Sequence, residues 1–264
     1  PARYDDLAAY LTESGIAVYG IYHIGHGPDA AILNHMGAGD FDRCVDNLHE
    51  LVQLASAETN VPVILLGHSM GSFMARTILA RYPDSGIAGA IICGSAWMPG
   101  GVVGAGKTVA GLICKTSGER NPSPFLKKMM FGGYNKKIEH PRTPSDWLTR
   151  DNQIVDAYEA DPLCGFIPSA GLVRDMMEGL QYIHDPKNLN AMKKDLPVYF
   201  IAGGDDPVGG YGDGVRRAAE EFKKHGMERI GVKIYPLCRH EIHNEEDGEV
   251  VYQDVLNFIE AKAL

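Results

Sequence analysis

A chain of 264 residues, 45% apolar and 22% charged, can bury a substantial core and has the composition of a soluble globular enzyme of one large domain or two small ones. Its formal charge of −9 argues against nucleic acid or an anionic membrane as the main partner, and no apolar run is long enough to span a bilayer. The five cysteines (Cys44, Cys93, Cys114, Cys164, Cys238) lack paired metal-ligand spacing and no secretory signal is visible, so the expected setting is the reducing cytoplasm.

Leu7, Tyr10 and Leu11 predict a short amphipathic helix that ends near Gly15, with a strand over residues 17–22 behind it. Phe41, Cys44, Val45, Leu48, Val52 and Ala55 recur at helical spacing and predict a longer amphipathic helix. The apolar run 62–66 predicts a buried strand, a helix-compatible run follows at 72–76, and residues 87–92 predict the next strand. Residues 95–195 differ: they are rich in glycine, proline, methionine and lysine and carry no clear strand pattern. Alternation resumes with a strand at 197–202, a helix on Val215, Ala218, Ala219 and Phe222, and a strand at 230–235. A last helix carries Val251, Val255, Phe258 and Ile259. Near-continuous apolar strands separated by amphipathic helices predict an α/β fold, a mostly parallel sheet with helices on both faces. The core is expected over residues 1–94 and 196–264, with 95–195 inserted as a cap above the C-terminal ends of the strands.

Gly67-His68-Ser69-Met70-Gly71 spells G-x-S-x-G at the predicted junction of strand and helix. Glycines on either side of the serine keep side chains out of a tight bend and leave the hydroxyl exposed above the sheet. The helix that follows aims its first amides at any oxyanion formed beside Ser69. A serine hydroxyl is a weak nucleophile until a base takes its proton, and that base needs an acid to hold its tautomer. In this architecture the partners come in the order serine, acid, histidine, each beyond a strand end. The strand at 197–202 runs into Gly203-Gly204-Asp205-Asp206-Pro207, and the strand at 230–235 runs into Pro236-Leu237-Cys238-Arg239-His240. Asp206 is favoured over Asp205 because Pro207 fixes the turn directly after it. His240 is the first histidine after the last strand, with His243 its competitor on the same loop. His68 is expected to point away from the nucleophile in a structural role, and His23 and His26 to shape a nearby loop.

Together these residues resemble the α/β-hydrolase superfamily, and within it the monoacylglycerol lipase and lysophospholipase-like branch, the serine aminopeptidase S33-type hydrolases. Arg3-Tyr4-Asp5-Asp6, Phe131-Gly132-Gly133-Tyr134, Asp161-Pro162-Leu163 and His240-Glu241-Ile242-His243 extend the similarity over almost the whole chain. The resemblance implies a serine carboxylesterase or lipase with Ser69 as nucleophile, Asp206 as acid, His240 as base and the Met70 amide as an oxyanion donor. It implies no metal or organic cofactor and a small acyl ester or lipid as substrate. Met129, Met130, Met176, Met177, Phe125, Phe131 and Phe166 suit either an apolar acyl pocket or ordinary packing within the cap.

Two departures from the family pattern set further expectations. Tyr22 and Ile24 stand where the branch carries the acidic and basic residues of Asp-His-Arg-Gly-His-Gly. The strands and His-Gly loop that precede Arg3-Tyr4 in the family, and that supply a second oxyanion amide, lie outside this sequence, so an N-terminally incomplete chain is expected. That gap keeps open a weakly active or non-catalytic binding domain on a hydrolase scaffold. A rival reading comes from residues 101–108, which match the phosphate-binding pattern G-x-x-x-x-G-K-[ST], with Lys107 for phosphate and Thr108 for magnesium. That loop should spring directly from a buried strand, whereas residues 94–100 intervene.

Overall fold

A computed structural model describes residues 2–33 and 36–263 of the chain. Among them, β1 (Val63–His68), β2 (Ile87–Cys93), β3 (Val198–Gly203) and β4 (Ile230–Tyr235) form one sheet in that order. Every pairing is parallel, so the four C-terminal ends open along one edge. Parallel neighbours need crossover connections, which the helices supply. These are α1 (Asp5–Glu13), α2 (Asp40–Thr59), α3 (Met70–Arg81), α4 (Gly100–Ser117), α5 (Pro124–Phe131), α6 (Asn152–Ala160), α7 (Ala170–His184), α8 (Pro186–Ala191), α9 (Asp213–Lys224) and α10 (Gly248–Ala263).

Side-chain alternation along the central strands decides which layer each residue joins. Ala90 and Ile92 of β2, with Val198, Phe200 and Ala202 of β3, share a core with α2, α3, α7 and α9. Ile91 and Cys93, with Ile201 of β3, face the other way, onto Leu7 and Leu11 of α1 and Val251, Val255 and Ile259 of α10. Each fully buried Val, Ile or Phe contributes about 1.5–3 kcal/mol. The centre of the sheet is therefore held from both sides. The outer strands β1 and β4 are only partly covered.

The strand expected over residues 17–22 does not form. Residues 15–33 run as turns and irregular chain, and none pairs with the sheet. The pattern there is β-like, but a strand also needs a neighbour for its N–H and C=O groups. Val18, Tyr19 and Tyr22 remain exposed.

Between β2 and β3 the chain is helical, α4 to α8, with one antiparallel bridge between Pro122 and Ser169. Ser123, Asp151 and Ser169 start α5, α6 and α7 by accepting backbone N–H groups of the first turn. Val173, Met176, Leu180 and Ile183 of α7 join the same cluster as Phe41 and Met74. Gly179 permits that approach, since a Cβ there would come within 2.6 Å of the Phe41 ring. Met176 and Met177 are thus buried in the core. No helix among the described residues is long and apolar enough to cross a membrane.

Candidate active site

β1 ends at His68 and α3 begins at Met70, so Ser69 is the single residue that turns the chain. Its backbone sits at φ 54° and ψ −123°, a region that a Cβ resists at about 1–3 kcal/mol. The surroundings hold it there. Ser69 N–H donates to the Cys93 carbonyl (3.0 Å), and the Ser69 carbonyl accepts from Ser72 N–H (2.9 Å) and Ser72 Oγ (2.6 Å). Met70 opens α3, where amides have no partner inside the helix and can serve an anion.

The two glycines of the motif are not equivalent. A Cβ on Gly67 would run into the Gly71 carbonyl oxygen and come within 2.8 Å of Ala75 Cβ, whereas one on Gly71 meets open space. Gly67→Ala is therefore expected to destabilise by about 1–3 kcal/mol through overpacking. Gly71→Ala should stay within about 0.5 kcal/mol of wild type in the same thermal denaturation experiment.

Asp206 lies three residues beyond β3 and His240 five beyond β4. The structure brings them together, with His240 Nδ1 3.0 Å from Asp206 Oδ2. Oδ1 of Asp206 accepts from Val208 N–H (2.8 Å), and the carboxylate is fully buried. Asp205 is exposed and has no such contact with the histidine. Gly203 lets the two loops meet, since a Cβ there would strike the carbonyls of Cys238 and Arg239.

The His240 loop is fastened on several sides. His240 N–H donates to the Trp147 carbonyl (3.3 Å) and Glu241 N–H to the Leu148 carbonyl (2.7 Å), both within the insertion. Arg3 Nε donates to Glu241 Oε1 at 3.0 Å in a two-pronged ion pair. Gly94, at φ 55°, packs so closely that a Cβ would lie 3.1 Å from His240 Cε1 and from His68 Nε2. Behind it, Arg76 is buried and donates to the Ala96 carbonyl (2.9 Å), and burial lowers its pKa to about 9.

The histidines divide by environment. Burial disfavours the charged form of His240, but attraction to Asp206 and their hydrogen bond outweigh it, so its pKa is raised. A carboxylate accepts, so Nδ1 carries the hydrogen and Nε2 of the neutral ring keeps a lone pair. Burial pushes His243 down to about 4, and its ring stacks on Tyr4 at 4.6 Å instead of meeting a carboxylate as His240 does. His23 is likewise lowered by burial to about 4, and His26 packs edge-on against Phe166 (5.2 Å).

Of the aromatic wall beside His240, sequence reasoning reached Phe131 and Tyr134 but not Trp147. Trp147 lies 5.1 Å from the His240 ring, Tyr134 4.9 Å from Trp147, and Phe131 5.5 Å from Tyr134. The only local signal was Phe131 in its Phe-Gly-Gly-Tyr run; Trp147 carries none. Phe125 and Met129 are exposed. The phosphate-loop pattern at 101–108 is absorbed into α4 and so forms helix instead of the loop that a phosphate cradle of this pattern needs. Lys107 Nζ is engaged with Gln181 and Glu178, each at 3.2 Å, and Thr108 Oγ1 donates to the Gly104 carbonyl. Among the described residues no three His, Cys, Asp or Glu side chains converge as a metal site would need.

A family profile described as serine aminopeptidase, S33, matches residues 2–247. A monoacylglycerol lipase of Mycolicibacterium smegmatis is 29% identical over 263 residues, covering 97% of this chain and 82% of that protein. A highly thermostable carboxyl esterase from Bacillus coagulans, solved in complex with glycerol, superposes with a TM-score of 0.90 at 27% identity, covering 100% of this chain and 86% of that one. The monoacylglycerol lipase of Paleococcus ferrophilus gives a TM-score of 0.72 at 19% identity over 99% of this chain and 90% of that one, a likeness of fold alone.

Proposed function

Because the chain belongs to the serine aminopeptidase S33 family, among the monoacylglycerol lipase-like α/β-hydrolases, we propose that it cleaves carboxylic esters through an acyl-enzyme on Ser69. The observation that carries this reading is the buried Asp206–His240 hydrogen bond at the strand edge that also holds the strained Ser69 turn. His240 Nε2 takes the Ser69 proton as Oγ attacks the acyl carbon, then gives it to the leaving alcohol. Asp206 keeps the tautomer and stabilises the imidazolium. The Met70 amide, at the positive end of α3, faces the oxyanion. Water then attacks the acyl-enzyme with the same base.

Residues 95–195 serve as the cap over this edge, with Phe131, Tyr134 and Trp147 beside the histidine that protonates the departing alcohol. The substrates proposed are lipid esters: monoacylglycerols, as the name of the similar Mycolicibacterium lipase suggests, or lysophospholipids, as the resemblance of the sequence motifs implies. The five unpaired thiols support a reducing compartment such as the cytoplasm.

A panel of p-nitrophenyl esters of increasing acyl length, followed by a monoacylglycerol, tests the proposal: turnover that depends on Ser69 is expected, and no turnover of any ester overturns it. The pH profile adds a second check. Only neutral His240 accepts a proton, so kcat/KM is expected to rise with pH through one ionisation. Because Asp206 raises the His240 pKa, the midpoint should fall above the ordinary 6.5, and Asp206→Asn should lower it. A profile flat from about pH 5 to 8 would contradict histidine as base.

A further inference from the structure

His68 closes β1 and adjoins Ser69 in the chain, yet both of its ring nitrogens are engaged elsewhere. Nε2 lies 3.1 Å from the carbonyl oxygen of His240, and Nδ1 lies 2.7 Å from the hydroxyl oxygen of Tyr4. A carbonyl oxygen only accepts, so Nε2 must carry the hydrogen. Nδ1 of the neutral ring then offers only a lone pair, and Tyr4 O–H is the donor. Burial, followed by the nearby His240, His243 and Arg3, keeps the ring neutral by holding its pKa well below the ordinary imidazole range. Tyr4 is itself fixed, stacked on His243, with its neighbour Arg3 paired to Glu241.

His240 is thereby held at three points. Trp147 takes its N–H, Asp206 its ring Nδ1, and His68 its carbonyl oxygen. Asp206 sets the tautomer and tilt of the ring. The His68 contact is different in kind, since it ties the base's own peptide to the residue next to the nucleophile. Proton transfer demands a heavy-atom separation of about 2.6–3.2 Å, and a misplacement of about 1 Å can cost about 10²-fold. A link from residue 68 to residue 240 acts on that separation.

We propose that His68 is a positioning residue: as a neutral Nε2–H tautomer selected by Tyr4, it fixes the His240 backbone at the spacing from Ser69 that proton transfer requires. The proposal rests on the reading of Ser69 and His240 as nucleophile and base. Glutamine places an amide N–H near the position of Nε2, leucine offers none, and Tyr4→Phe removes the donor that selects the tautomer.

The test compares wild type with His68→Leu, His68→Gln and Tyr4→Phe, following p-nitrophenyl butyrate hydrolysis and the rate of fluorophosphonate labelling. His68→Leu is expected to lower kcat and the labelling rate by roughly 10- to 100-fold with KM little changed. His68→Gln should recover most of that loss, and Tyr4→Phe should fall between. A folded His68→Leu as fast as wild type, or a His68→Gln no faster than His68→Leu, overturns the proposal. If His68→Leu does not fold, the imidazole nitrogen NMR spectrum of wild type decides, because hydrogen on Nδ1 of His68 contradicts the assignment and hydrogen on Nε2 supports it. A wild type that neither turns over nor labels overturns the ester-hydrolase reading and this role with it, whereas equal rates in wild type and His68→Leu overturn this role alone.

Discussion

Ser69→Ala is expected to abolish ester hydrolysis, with kcat falling on the order of 10⁴-fold or more, while the melting temperature moves by only a few degrees. The turn does not depend on the hydroxyl: it is fixed by the backbone bonds to Cys93 and Ser72 and by the absence of a side chain at Gly67. Ser69→Gly separates chemistry from strain. Removing the Cβ relieves about 1–3 kcal/mol of strain at φ 54°. The greater freedom of glycine in the unfolded chain costs about 0.5–1 kcal/mol. Relief is the larger effect, so this variant should be inactive and at least as stable as wild type in thermal melts. An inactive variant that is also clearly less stable would mean that the Ser69 side chain supports the fold.

His240→Ala should cost nearly as much activity as Ser69→Ala, and His243→Ala far less. His240 alone of the two reaches a buried carboxylate. His243 lies against Tyr4, and its Nε2 has no hydrogen-bond partner. Its loss should therefore appear in stability before it appears in turnover. Asp206→Asn should lower kcat on the order of 10⁴-fold, because an amide that donates to Nδ1 favours the wrong tautomer. Asp205→Asn, on the exposed side of the same turn, should leave most of the rate. Steady-state kinetics on the four variants decide the assignment, and a reversed order of the two histidines would move the base to His243.

What was legible in the sequence was what local pattern determines. The spacing of Phe41, Cys44, Val45 and Val52 matches the buried stripe of α2, and the apolar runs at 87–92 and 197–202 lie in the two central strands. The positions after strand ends were legible for the same reason, and burial separates Asp206 from Asp205. Residues 17–22 show where local pattern stops: Val18 and Tyr19 suit a strand, but pairing depends on a neighbour that composition does not reveal. Residues 101–108 show the converse, since a phosphate-loop spelling is taken up by the ordinary helix ladder of α4. Gly71 looked as necessary as Gly67 because spelling cannot tell a crowded glycine from an open one. The contacts of Tyr4 with His68, Arg3 with Glu241 and Trp147 with His240 join residues far apart in the chain. No periodicity encodes them.

The central claim is that Ser69 is activated by His240, and covalent labelling tests it most directly. Wild type and His240→Ala would be treated with a fluorophosphonate and digested, and the modified peptide located by mass spectrometry. The expected result is one adduct, on Ser69, formed readily in wild type and scarcely at all in His240→Ala. An unlabelled wild type, an adduct on another residue, or equal labelling without His240 would contradict it.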